Sequence, residues 1–375
     1  MDHLSSCKEL HRLLSNSFGG NACRLTFAPD QLGVDTRFFL SDDGNSVEIV
    51  CFKSTYLLVF KEAHNYFNQF QPLSGMFSLA ILQEQTCPKN WETYYSSLGF
   101  LLTTPENKTN FNVHFDTVLN LFKENEVRRL IAKELKIVQR LLTSSNNRLN
   151  KSSSLWQLYR KLYTLSFGWD VGDNHDYLST FLDSGIRHFS NYYSWNTANW
   201  YFDIVTTSEK LATVEQTKKY CFRNFKDTSS WNALTYMVCQ SKNKFNYNIK
   251  EYHRLQKMLN LSGKFHDENW LQCNVGEIFK EIIKLIDSFS VEEWSPFLCC
   301  LAIAFTFSDL NTKTLTARWR SDVETFEKKH GVVLNIRNNP VVSQECTKNL
   351  LLRVGSRHIG YKKRFILTYM SNTTV

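Results

Sequence analysis

The stretch Ser190-Asn191-Tyr192-Tyr193-Ser194-Trp195-Asn196-Thr197-Ala198-Asn199-Trp200 constrains this chain more than any other, because its shape recurs. Weaker copies centre on Phe111, Trp156 and Trp231, so the four centres stand 45, 39 and 36 residues apart. Spacing of that order suits stacked two-helix units. Each copy opens on a polar lead-in: Asn107-Lys108-Thr109-Asn110, Lys151-Ser152-Ser153-Ser154-Leu155, Asn191-Tyr192-Tyr193-Ser194 and Asp227-Thr228-Ser229-Ser230. Asn, Asp, Ser and Thr accept hydrogen bonds from the free amides of a starting helix, so every lead-in is also an N-cap signal. The aromatic then falls in the first turn. Residues three, seven and ten further on share its face: Ala198, Phe202 and Val205 after Trp195, and Tyr159, Tyr163 and Ser166 after Trp156. One buried seam per helix is what a stacked helical array needs.

The six prolines leave everything between Pro105 and Pro296 uninterrupted, which permits long helices through all four copies. The expected fold is all-α, a right-handed superhelical array of antiparallel helical hairpins of the tetratricopeptide kind. The expected organisation is an N-terminal extension with helices over 1–100, the repeats over 101–310, and a C-terminal helix and tail over 311–375. Partner helices between the copies take their faces from Leu135, Val138, Leu141 and Leu142, then from Tyr177, Leu178, Phe181, Leu182 and Ile186, then from Val214, Tyr220 and Cys221.

Outside the repeats the pattern is less regular. Turn chemistry such as Gly19-Gly20-Asn21 and Asp42-Asp43-Gly44-Asn45 marks residues 1–45 as one short helix, Cys7 to Leu14, and irregular chain. The apolar stretch Val47 to Phe67 fits strand or helix, and Lys61-Glu62-Ala63-His64 tips it toward helix. Further helices are expected at Leu73 to Glu84, Trp91 to Leu102, Lys250 to Leu259, Val275 to Ile286, Trp294 to Phe307 and Leu315 to Lys329. From Val332 a mixed tail follows, and Arg353, Arg357, Lys362, Lys363 and Arg364 give it a solvated basic face.

A net charge of +8 with acids interleaved among the bases does not point to nucleic acid. The ten cysteines lack CxxC spacing and the ten histidines lack HExxH, so no metal is expected in this chain, and buried thiols imply a reducing compartment. Neither a signal peptide nor a run of ~20 apolar residues is visible, which places the expectation in the cytoplasm without a membrane span. Gly263-Lys264 has Met258 where a phosphate-cradling loop needs glycine, and no GxGxxG occurs.

Pro105-Glu106-Asn107-Lys108-Thr109-Asn110-Phe111-Asn112, Asn191-Tyr192-Tyr193-Ser194-Trp195-Asn196 with Trp200, and Asp227-Thr228-Ser229-Ser230-Trp231-Asn232 resemble the repeats of the protein prenyltransferase alpha subunits. The similarity covers roughly 100–240 well and 250–310 loosely. It is nearest the divergent alpha subunit of type-3 geranylgeranyltransferase. It implies a heterodimer with a Rab-type geranylgeranyltransferase beta subunit, which would hold the zinc and the geranylgeranyl diphosphate co-substrate, with no cofactor in this chain. The acceptor would be a C-terminal cysteine of a small trafficking protein, for instance an already farnesylated SNARE. The same resemblance assigns Lys151 to catalysis at the departing diphosphate, and Asn191, Tyr192 and Tyr193 to substrate contact. A fixed ammonium there would stabilise charge that develops on the leaving group. The pattern's first arginine is replaced by His114, Tyr159, Ala198 and Leu234, while Arg160 keeps the following place. Those losses favour a second expectation, a non-enzymatic helical scaffold that holds a partner protein on its concave face.

Overall fold

Four helices begin in the same way. In the computed structural model the main-chain N–H of each repeat aromatic donates to the carbonyl four residues earlier: Phe111 to Asn107, Trp156 to Ser152, Trp195 to Asn191 and Trp231 to Asp227. The side chain of that same residue accepts from the amide three positions on, at 3.1 Å for Asn107, 3.2 Å for Ser152, 3.4 Å for Asn191 and 3.0 Å for Asp227. Each lead-in is therefore a formed N-cap, worth about 1 kcal/mol to its helix. Each aromatic is the fourth residue of the helix it heads, and all four are buried.

The structure describes residues 3–18, 22–31, 37–69, 91–124, 127–168, 175–239, 247–261, 273–334 and 350–373. In chain order these form α1 (Ser5–Ser15), β1 (Ala22–Ala28), β2 (Phe38–Asp42), β3 (Ser46–Phe52), α2 (Lys53–Asn68), α3 (Trp91–Thr103), α4 (Lys108–Glu124) and α5 (Val127–Leu142). The repeat region continues with α6 (Asn147–Asn150), α7 (Ser153–Gly168), α8 (Tyr177–Arg187), α9 (Tyr192–Ile204), α10 (Thr207–Arg223) and α11 (Thr228–Cys239). Then come α12 (Tyr247–Met258), α13 (Val275–Ser288), α14 (Trp294–Thr306), α15 (Thr312–His330) and α16 (Leu350–Thr373). The protein is thus mostly helical, as expected. The helix anticipated at Leu73 to Glu84 lies outside the described residues.

The chain divides into two units, one of residues 1–198 and 247–265, the other of 199–246 and 266–375, so that α9 carries the boundary. In the first unit α1 packs on α2, α3 and α5, and the repeat helices continue with α4 on α3, α7 on α5 and α12 on α7. Gly99 on α3 permits the close approach. A Cβ there would stand 3.0 Å from the Cys7 sulfur, 3.2 Å from Val59 and 3.3 Å from Ala63. In the second unit α11 packs on α10 and α14, α14 on α13 and α16, and α16 on α15.

Two expectations are corrected here. Residues 22–52 hold a three-stranded sheet of order β1-β3-β2, with β1 parallel and β2 antiparallel to β3. The stretch read as a helix from Val47 is β3 followed at once by α2. Val47, Ile49 and Cys51 alternate into the core while Glu48 and Val50 are half-buried, which is strand periodicity. Where the tail is described beyond Leu334 it is the long helix α16, and three of its named basic residues are engaged rather than solvated, while Arg353 lies outside the residues whose side chains are described. Lys362 reaches Asp287 at 2.8 Å and Asp322 at 2.7 Å, Lys363 reaches Glu327 at 2.8 Å, and Arg364 lies 4.3 Å above the Trp294 ring.

Candidate functional site

The residues singled out from the sequence meet in the first unit, where the α6 turn abuts the turn between α8 and α9. Asn146 caps α6 by accepting from the Arg148 amide, and the short helix ends at Lys151, whose N–H returns to the Asn147 carbonyl at 3.0 Å. Asn150 is buried, and its Nδ2 donates to the Leu142 carbonyl at 2.6 Å. Across from it Ser190 adopts a positive φ of 55°, which turns the chain into α9 and delivers Asn191 to the same interior point. Asn191 Nδ2 donates to the Asn150 carbonyl at 3.1 Å, to Ser184 Oγ at 2.9 Å and to Asn150 Oδ1. The Trp156 indole N–H donates to that Asn150 carbonyl as well, at 2.8 Å. One amide pair therefore clasps two repeats 41 residues apart.

This brace decides what the four assigned residues can do. Asn191 is 0% exposed and its amide is engaged on every side, so it holds the turn and cannot receive a substrate. That is a correction to its assignment as a substrate contact. Lys151, next to Asn150, is exposed. Tyr192 and Tyr193, next to Asn191, are 64% and 38% exposed, with their rings edge-on at 5.5 Å. His188 joins the two turns: its Nε2 donates to the Ser144 carbonyl at 3.2 Å, and burial lowers its pKa, an effect that the Ser144 bond opposes and the charges of Lys151 and Arg187 reinforce. The outcome is a small rim in which Lys151, Tyr192 and Tyr193 are exposed on adjoining turns beside His188, with Ile186 at the end of α8 and Phe189 on the turn also exposed.

Arg160, the basic residue retained from the repeat pattern, stands farther along α7. Its Nη1 pairs with Glu251 of α12 at 3.0 Å, and its Nε and Nη2 both approach Thr197 Oγ1 at 3.3 Å. The pair is 12% and 16% exposed. Burial lowers the arginine's pKa, and Glu251, Tyr247 and Tyr192 pull it back up. The sequence marked Arg160 but gave no hint of Glu251, which lies 91 residues on in a separate helix.

The positions that lost arginine are all core. His114, Tyr159, Ala198 and Leu234 are at most 1% exposed. His114 is held by Ser97 Oγ and Glu134 at 2.9 Å each, in a closed network that includes the Tyr94 hydroxyl on Glu134. The Tyr159 hydroxyl meets Thr180 and His175 at 2.8 Å each. An arginine at these places would face the packed seam, not a ligand.

Three family models match the chain in sequence: the ECM9 N-terminal domain over residues 1–143, the ECM9 middle domain over 155–259 and the ECM9 C-terminal domain over 275–374. Protein ECM9 of Saccharomyces cerevisiae is 38% identical over 377 residues, covering 98% of this chain and 96% of that protein. The chain belongs to the ECM9 family.

This corrects the family drawn from the lead-ins. The consecutive ECM9 matches assign the repeats and the flanking regions alike, where the resemblance to the protein prenyltransferase alpha subunits rested on the repeats. A polar cap followed by a buried aromatic is what any capped helical hairpin requires, so that pattern carries less family information than its regularity suggested. ECM9 membership covers the sheet and α16 of this chain as fully as its hairpins. Among the described residues no helix is long and apolar enough to cross a membrane, and no group of three or more His, Cys, Asp or Glu is arranged to hold a metal.

Proposed function

We propose that this chain is the non-autonomous, alpha-type subunit of a heterodimeric protein geranylgeranyltransferase that acts in the cytoplasm on a C-terminal cysteine of a small trafficking protein. The observation that carries the reading is the Asn150–Asn191 brace, which sets Lys151 and the Tyr192–Tyr193 pair on adjoining turns and leaves all three exposed. Transfer of an allylic group to a thiolate puts negative charge on the departing diphosphate. An ammonium on a turn fixed by buried amides needs little reorganisation to meet that charge, which is where preorganised donors act most strongly. A Rab-type beta subunit would supply the zinc, the isoprenoid pocket and the bound thiolate. The hairpins, arranged as a right-handed superhelical array, would hold the acceptor protein and gain rate by positioning. Co-expression with that beta subunit tests the reading: the two chains co-purify and geranylgeranylate a protein ending in cysteine. Failure to associate refutes it.

A second reading, a non-enzymatic scaffold, draws on a specific observation. Arg160 is closed into its pair with Glu251, while Ile186, Phe189 and both tyrosines offer an exposed apolar and aromatic surface suited to a protein partner. A stable complex that transfers no lipid would favour it.

A further inference from the structure

The first unit contains a cavity of about 530 Å³ walled by β1, the segment after α1, α5 and α8. Four of its side chains are cationic: Arg24 on β1, Lys136 and Arg140 on α5, and Arg187 at the end of α8. Asp183 on α8 is the acid among the lining residues. The wall therefore carries three more positive than negative formal charges.

The deepest of these cations is built in. Arg140 is 5% exposed, and its guanidinium donates to the carbonyls of Leu13, Leu14 and Asn16 at 3.0, 2.7 and 2.6 Å while lying 5.4 Å from the centre of the Phe18 ring. Neutral carbonyls fix the group without cancelling its charge. Lys136 precedes it by one helical turn on the same face of α5. Both act on the Cys23 thiol in the cavity wall, whose pKa burial raises and the two cations draw down. On the α8 side Asp183 feels Arg24 and Arg187 together: the surrounding wall raises its pKa and the two arginines oppose the rise. Like charges gathered around a recess repel one another, and an anion among them removes that cost while meeting donors already in place.

We propose that this cavity binds a compact polyanion bearing two or more phosphate groups, with Arg24 and Arg187 gripping it at the mouth and Lys136 and Arg140 supplying the charged floor. Guanidinium forks fit phosphate oxygens in pairs, which favours phosphate over a single carboxylate. The cavity adjoins the Lys151 rim through Ile186 and Arg187, but neither Lys151 nor Tyr192 is among its lining residues. A free phosphorylated metabolite and a phosphoinositide headgroup share the chemistry.

The test uses the full chain at physiological ionic strength. Calorimetric titration with inositol 1,4,5-trisphosphate measures the soluble arm, and co-sedimentation with vesicles containing phosphatidylinositol 4,5-bisphosphate measures the membrane arm. Saturable binding in either arm is expected. The double variant Arg24→Ala/Arg187→Ala should weaken it about tenfold or more, the weight of one charge-assisted hydrogen bond. Lys328→Ala/Lys329→Ala, on α15, removes the same charge elsewhere and should leave affinity unchanged. Asp183→Asn should tighten binding, a gain that misfolding cannot produce. Binding in the soluble arm assigns a free ligand, and binding to vesicles alone, with the same arginine dependence, assigns a headgroup. No binding in either arm, or equal loss in both double variants, overturns the proposal.

Discussion

Replacing Asn191 with alanine strikes the point where two repeats are clasped. The substitution deletes the N-cap acceptor for the Ser194 amide, which by itself costs about 1 kcal/mol. It also leaves the buried Asn150 Oδ1 and the Ser184 hydroxyl without their donor, and a buried polar group stripped of its partner costs about 1–3 kcal/mol. The losses overlap, so a total of about 3 kcal/mol is expected. Asn107→Ala is the internal reference, because Asn107 caps α4 in the same manner from an exposed position and should cost only about 1 kcal/mol. Asn191→Ser, which keeps a capping oxygen and loses the amide donors, should fall between them. Urea unfolding followed by helical circular dichroism measures the series, with midpoints compared at matched slopes because a chain of two units need not unfold in one step. An Asn191→Ala variant no less stable than Asn107→Ala would refute the idea that the amide pair, and not the cap alone, fixes this turn.

Three further outcomes follow from the packing. Glu251→Ala strands the Arg160 charge in a mostly buried place and should cost about 3–5 kcal/mol, whereas Arg160→Met/Glu251→Leu should recover most of it; a double variant as unstable as the single one contradicts the pairing. Gly99→Ala should cost about 1–3 kcal/mol in thermal unfolding, since its new methyl meets Cys7, Val59 and Ala63 at 3.0 to 3.3 Å, and a neutral result would mean that α1 and α2 yield freely. His11, His188 and His358 all have pKa values lowered by burial, so the folded state binds fewer protons than the unfolded one below the ordinary value of 6.5. Their contribution is complete above that pH and is lost as pH falls through the lowered values, so unfolding midpoints should decline on acidification from 6.5. A midpoint that is flat from pH 7 to 5 contradicts this.

The helix starts could be read from the chain because a cap is a local device, complete within four residues. Asn107, Ser152, Asn191 and Asp227 each carry both the acceptor and the polar neighbourhood that reveal it. Phe297 shows the limit of that signal. It too is the fourth residue of its helix and is fully buried, but Glu293 before it makes no side-chain cap bond, and the sequence offered no lead-in to notice. The sheet was missed for a different reason. β1 pairs with β3 across 24 residues, with β2 formed in between, and short apolar runs do not disclose such pairing. In the site, the sequence brought forward Lys151 and the tyrosines, which lie exposed on adjoining turns. It misjudged Asn191, because an asparagine at a helix start looks the same whether its amide is open or clasped by another repeat. Asp287 was equally invisible: it accepts from Trp319 at 3.0 Å and from Lys362 at 2.8 Å, partners on two later helices.

The most direct measurement is single-turnover geranylgeranyl transfer by the assembled heterodimer, wild type against Lys151→Ala, with assembly confirmed by co-purification. The expected rate in Lys151→Ala is lower by about 10²–10³-fold, as for removal of one preorganised donor to a developing anion, with partial recovery in Lys151→Arg. An unchanged rate in an intact Lys151→Ala heterodimer would contradict it.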